Sequence, residues 1–329
     1  MPALRQNLLI GRVLSAIAAS GATAIQTSAE RRNPRIFRVT RDRTSYDLWV
    51  YIWTVTHGGA SRSEEEFRIQ KTSVEVPLPR NPDGPTVLIG WDEVRHVFAG
   101  FDFELHRSFT PGSPSAQVPL SVLSEARTTG FAVARKSNDE LTYAFTPENF
   151  LNYVDQVSPL HREAPAVEEL VRRAIAAPEV PLELAQLPEG RRRVVLTVQA
   201  LSRDARFRRG VLNAYVNRCA VTGCQLGLLD AAHILPVGAP RSHDGITNGL
   251  ALSPTYHRAF DAGLIYLDPT YVMRINEARV RQLRADGLDG GYPEFAAPLG
   301  RRIHLPRDVQ FRPDPEMVRL ANVYRRIPG

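Results

Sequence analysis

Apolar residues near the start of the chain recur at helical intervals. Leu8, Ile10, Val13, Leu14 and Ile17 fall along one side of a helix that Arg12 interrupts, so the segment reads as amphipathic rather than as the continuous apolar run of a secretion signal. From Arg35 to Phe145 the pattern shortens to strands and turns. Asp47 to Val55 is rich in aromatic and β-branched residues and ends at the turn residues Gly58 and Gly59. Further strands are expected over 67–70, 86–90 and 97–103, then a helix over 119–128. A hairpin is expected from 130–135 and 141–145, turning at 137–139, followed by a helix over 147–154 with Pro147 and Glu148 in its first turn. Between 157 and 193, Pro159, Pro165, Pro178, Pro181 and Pro188 surround one helical run, 167–177, which reads as a linker.

Beyond the linker the pattern gives a helix over 204–216, a short apolar strand over 229–235, a polar loop, a second strand over 249–253 and a helix opened by Pro254. An Arg- and Pro-rich tail from about Gly300 closes on a short helix, 315–326. The fold class expected is α+β: a mixed α+β domain over 1–156, the Pro-rich linker over 157–193, and a second domain over 194–329 with a C-terminal extension. At 329 residues the chain exceeds the usual size of one hydrophobic core, which agrees with two domains. No stretch approaches the roughly 20 apolar residues that a membrane span needs.

The candidate chemistry lies in the strand, loop, strand and helix of the second domain. His233 sits in the first strand, Asn248 in the loop just before the second, and His257 and Asp261 are one turn apart on the helix, where both can reach one ion. A single His in an apolar strand is ordinarily a satisfied core residue; three such groups in these three contexts are not explained that way. The stretch resembles the HNH endonucleases, in the branch whose first His lies in an Ala-Ala-His-Ile-x-Pro context and whose last lies in His-x-x-Phe-Asp. The resemblance covers roughly residues 195–275.

That resemblance implies a ββα-metal fold and metal-dependent hydrolysis of phosphodiester bonds. By it His233 corresponds to the general base, Asn248 to the residue that ties down the loop and helps orient the base, and His257 to a metal ligand, with Asp261 as a second. Many relatives place a ligand immediately before the base, where Ala232 stands here; Asp230, on the strand face of Ala232, is the candidate replacement. An imidazole with one or two carboxylates suits Mg²⁺ or a similar divalent ion, Mn²⁺ included. Cys219 and Cys224 are the only cysteines and no second pair follows, so no structural zinc is expected. His243 and Asp244 in the loop, and Arg258 on the helix, read as solvated residues or as substrate contacts.

Composition narrows the partners. With 43% hydrophobic and 23% charged residues the chain is an ordinary globular one, and its net charge of +6 favours a polyanion. Lys71 and Lys136 are the only lysines, so the excess is arginine. Two cysteines exclude a multi-disulfide scaffold and suit the cytoplasm. The partner expected is double-stranded DNA, with no membrane association, and with a homodimer because one such site cuts one strand. In the first domain Trp49, Tyr51 and Trp53 share a strand face that either stacks a base or fills a core. Arg35, Arg38, Arg41, Arg43, Arg62, Arg68 and Arg107 offer contacts to a DNA backbone. The arrangement suggests a restriction-type enzyme whose first domain recognises a site or a modification; a non-specific DNase toxin and a non-catalytic DNA-binding protein are the alternatives.

Overall fold

A computed structural model describes residues 6–28, 32–41, 43–59, 61–110, 112, 114–136 and 138–327. The chain divides into two compact units at Ala205 and Arg206.

The first unit contains helix α1 (Gln6–Ala19) and strands β1 (Thr23–Gln26), β2 (Arg35–Arg41), β3 (Thr44–Thr54), β4 (Thr56–His57), β5 (Glu66–Gln70), β6 (Thr86–Asp92) and β7 (Val97–Phe101). It continues with α2 (Phe103–His106), β8 (Ser115–Pro119), α3 (Leu120–Thr129), the hairpin β9 (Phe131–Arg135) and β10 (Leu141–Phe145), α4 (Phe150–Arg162) and α5 (Glu168–Ala176). Seven strands form one sheet in the order β1-β2-β3-β6-β7-β10-β9, with β3 and β6 parallel and the other neighbours antiparallel. A three-stranded sheet, β4-β5-β8, accompanies it.

Both faces of the large sheet are covered, and β3 shows how. Leu48, Val50 and Ile52 pack with Val13 and Ile17 of α1 and with Phe150 and Val154 of α4. The alternate positions Tyr51 and Trp53 pack with Ile69, Val122 and Leu123. Tyr51 is fully buried and donates its hydroxyl to Pro79 O at 2.8 Å, so Tyr51 and Trp53 fill a core rather than offering a stacking platform, while Trp49 is half-buried. The strand expected over 97–103 stops at Phe101, because Asp102 accepts from the backbone N–H groups of Glu104 and Leu105 and caps α2.

The linker expected over 157–193 is corrected. This segment is built into the first unit: Leu160, Val167, Val171, Ala174, Ile175 and Leu184 belong to the same buried cluster as Phe37 and Val50. Pro159 is accommodated inside α4 and Pro165 in the 3₁₀ turn Ala164–Val167 that precedes α5, Pro178, Pro181 and Pro188 lie in the connection after α5, and apolar residues at helical spacing supply the burial. The division falls instead within α6 (Glu189–Ala214).

The second unit contains the end of α6, the two-stranded sheet of β11 (Asp230–His233) and β12 (Gly249–Leu252), α7 (Pro254–Asp261), and the hairpin β13 (Ile265–Leu267) and β14 (Met273–Ile275). Helices α8 (Glu277–Ala285), α9 (Tyr292–Ala296) and α10 (Pro315–Tyr324) complete it. Its core gathers Phe207 and Val211 with Leu250, Leu252, Phe260, Met273 and Val318. Gly249 is required where β12 crosses α6, since a Cβ there would lie 2.2 Å from a Val211 methyl.

The charge is divided unevenly. Residues up to 205 balance 24 Lys and Arg against 24 Asp and Glu, whereas Arg206 onward holds 17 arginines against 11 acidic residues and carries the whole excess. In the first unit, Arg35 is buried, and Arg38, Arg41, Arg62 and Arg107 face Asp47, Asp155, Glu66 and Glu104. Among the described residues no helix is long and apolar enough to cross a membrane.

Candidate active site

β11 and β12 pair antiparallel, with Asp230 opposite Leu252 and His233 opposite Gly249. Ala232, Leu250 and Leu252 bury one side of this ribbon. Pro254 starts α7 immediately after β12, and Tyr256, Ala259 and Phe260 are its buried positions. The same 3.6-residue period leaves His257 and Asp261 together on the remaining face, where the His257 Nε2 atom lies 3.2 Å from Asp261. The His257 Nδ1 atom lies 3.3 Å from Asp230 on β11.

His257 is therefore flanked by a carboxylate on each ring nitrogen. The two pairings raise its pKa to about 9, Asp230 contributing most and Asp261 next, against the cost of burial. The same contact is the main cause that holds the Asp230 carboxyl below its usual range, helped by Arg208, which donates to Asp230 Oδ1 at 3.4 Å and to Leu229 O at 2.8 Å. With a folded value above the ordinary 6.5, the His257 pairing stabilises fully below about pH 6.5, and this contribution is lost as pH rises through about 9. The depressed Asp230 contributes above its ordinary 3.8 and loses that contribution as pH falls. In chelator-treated protein, His257→Gln is thus expected to lower the unfolding midpoint most between about pH 4 and 6.5 and progressively less toward pH 9. A pH-independent difference in thermal melts would contradict the pairing.

The expected ligands are not gathered into one set. Asp230 and Asp261 approach opposite nitrogens of the same imidazole, and among the described residues no three His, Cys, Asp or Glu side chains are arranged to hold one ion. Either carboxylate can act with His257, but one nitrogen at a time. Octahedral donors at about 2.1 Å from an ion stand about 3 Å apart. Both pairs, at 3.3 and 3.2 Å, have that spacing.

His233 is mostly enclosed. Its ring lies flat against Phe207 from the end of α6, with centroids 3.8 Å apart and planes within 12°, and its Nε2 atom lies 2.8 Å from Asp244 Oδ1. Asn248 is fully buried, and its side chain makes no hydrogen bond to His233. Its Oδ1 atom accepts from Leu235 N at 2.8 Å, and its Nδ2 atom donates to Leu235 O at 3.2 Å and His243 O at 2.8 Å. It closes the loop between β11 and β12, and His233 and Asp244 lie at that loop's two ends. Just past the end of α10, Arg325 donates to Ile234 O at 2.7 Å, with its guanidinium 4.4 Å over Phe260.

Phe207, Arg208, Asp244 and Arg325 were not singled out as functional by sequence reasoning, apart from Asp244 as a loop residue. Only the placement of Phe207 and Arg208 on the helix just before the motif offered a signal. Cys219 is buried and accepts from Ser253 N at 3.4 Å, Cys224 is half-buried, and neither is in a disulfide.

Residues 219–268 match the family described as HNH endonuclease, and residues 46–154 match the family described as Methylase-associated X1. No curated protein sequence matches the chain. Among solved structures, the chain is similar to a protein titled "Modification dependent TagI restriction endonuclease", with 14% identity, a TM-score of 0.29, and coverage of 83% of this chain and 79% of that one.

Proposed function

We propose that this protein, a nuclease whose second unit carries an HNH endonuclease domain, is a metal-dependent endonuclease of double-stranded DNA that serves a restriction system. The observation that carries the reading is the meeting of β11 and α7: Asp230, three residues before His233 on one strand, touches His257 on the helix. One short ribbon thus carries a candidate base and one side of a candidate cation site.

His233 accepts a proton from the attacking water, and its enclosure against Phe207 keeps the ring in place for that transfer. Asp230 and His257 are the residues that would hold the divalent ion, Mg²⁺ or Mn²⁺. Asp261 is the alternative partner of His257, but it is over half exposed, whereas Asp230 is held by Arg208. When bound, the ion supplies positive charge that stabilises the phosphate oxygens and the departing sugar oxygen. Asn248 acts by shaping the loop, which makes it a positioning residue. The arginine excess of the second unit supports a grip on the DNA backbone there, since clustered cations bind phosphates by releasing counterions.

The family matched by residues 46–154 is described as methylase-associated, which supports a place beside DNA-modifying enzymes and a role for this region in choosing a site or a modification. A homodimer follows if both strands are cut, because each chain has one such site. The test is incubation of the full-length protein with plasmid DNA from methylating and non-methylating hosts, in Mg²⁺, in Mn²⁺ and in chelator. Cleavage is expected only with a divalent ion and on only one plasmid type. Absence of cleavage under every condition would remove the nuclease reading, and equal cleavage of both plasmids would remove the modification-sensing one.

A further inference from the structure

Resting on His233 as the base, we propose that Asp244 is a positioning residue that holds His233 as the Nε2–H tautomer, so that Nδ1 is the atom that takes the proton from water. An ionised carboxylate only accepts hydrogen bonds, so the 2.8 Å contact to Asp244 Oδ1 requires Nε2 to donate. In the neutral ring Nδ1 then carries the lone pair. Both side chains are only 17% exposed, which favours a fixed pairing over one exchanging with water. Phe207 sets the plane of the imidazole, and Asp244 decides which edge of that plane faces the loop.

The loop is built to deliver Asp244. Asn248 donates to His243 O, the carbonyl immediately before Asp244, and Gly245 N donates to His243 Nδ1 at 3.0 Å immediately after it. Gly245 has no room for a side chain, since a Cβ would stand 2.7 Å from that ring. At the other end Asn248 grips both polar groups of Leu235, two residues after His233. The buried amide therefore spans the two residues to be paired and acts on His233 through Asp244.

The step balances as follows. A water O–H bond breaks and an N–H bond forms at Nδ1; the water oxygen bonds to phosphorus as the bond to the departing sugar oxygen breaks, and that oxygen takes its proton from solvent. The imidazolium formed lies against the Asp244 carboxylate, which stabilises it without itself being protonated.

The experiment uses full-length protein with ¹⁵N-labelled histidine, the His233 signals being assigned by their loss in His233→Ala. In the wild type the neutral ring is expected to show a protonated Nε2 and a bare Nδ1. Asp244→Asn places an amide N–H₂ where it can donate to Nε2, so Nδ1–H signals are expected to appear. Its kcat should fall roughly 10²–10⁴-fold, with KM and the unfolding midpoint little changed. Asp244→Glu, which keeps a carboxylate, should restore part of kcat. A wild-type ring protonated at Nδ1, or Asp244→Asn with unaltered ring signals and kcat, overturns the proposal, and the wild-type measurement can overturn it even if a variant does not fold. Failure of the base reading would look different: His233→Ala would cut normally whatever the state of the ring.

Discussion

His233→Ala is expected to slow DNA cleavage by roughly 10²–10⁴-fold, the usual contribution of a positioned general base, while leaving DNA affinity almost intact and lowering the unfolding midpoint by no more than several degrees. The separation of these effects follows from what the side chain touches. Its ring stacks on Phe207 and donates to Asp244, but among the described residues no backbone group hydrogen-bonds to it. Its loss removes one hydrogen bond and one stacking contact, together about 1–2 kcal/mol. The rate is best read as single-turnover nicking of supercoiled plasmid at saturating protein, with affinity measured separately by fluorescence anisotropy in chelator. The substitution also leaves a space beside Phe207 the size of an imidazole, so added imidazole should recover part of the rate. A variant that cuts as fast as the wild type would exclude His233 as the base.

Asn248→Leu is expected to produce the largest loss of stability of any change at this site. The amide satisfies Leu235 N, Leu235 O and His243 O inside a fully buried position, and leucine satisfies none of them. Each buried polar group left without a partner costs about 1–3 kcal/mol, so a loss of about 3 kcal/mol or more is expected, on the order of 10 °C in the unfolding midpoint of this unit. Cleavage should be lost with it, because the released loop no longer brings Asp244 to His233. The isosteric Asn248→Asp separates the two halves of the clamp. It retains the acceptor for Leu235 N but sets an oxygen against the carbonyls of Leu235 and His243. An unaltered midpoint in Asn248→Leu, measured by calorimetry, would show that the loop does not depend on the clamp.

The HNH family was legible because its marks are local. Asp230 and His233 lie on one strand, and His257 and Asp261 are one turn apart on a helix, so short-range geometry places them before any packing is known. The α+β class and the β9–β10 hairpin were legible for the same reason. The segment over 157–193 was misread because proline content was weighed above periodicity. Val167, Val171, Ala174 and Ile175 repeat at helical spacing, and burial of that stripe settles the structure. The aromatic face of β3 left two readings open because alternation shows which residues share a face but not what covers it; α3 and β5 cover Tyr51 and Trp53.

What the sequence determined by itself is which side chains share a face, since the periods of strand and helix depend only on the backbone. The tertiary structure alone decided which atom of each ring meets which partner. The two carboxylates that the sequence offered as ligands reach opposite nitrogens of His257, one from four residues away along its own helix and one from 27 residues away on β11. The partners of His233 come from the end of α6 and from the far end of a loop closed by a buried amide. Their approach depends on how those segments pack, and packing is a sum over the whole core rather than a property of any interval along the chain.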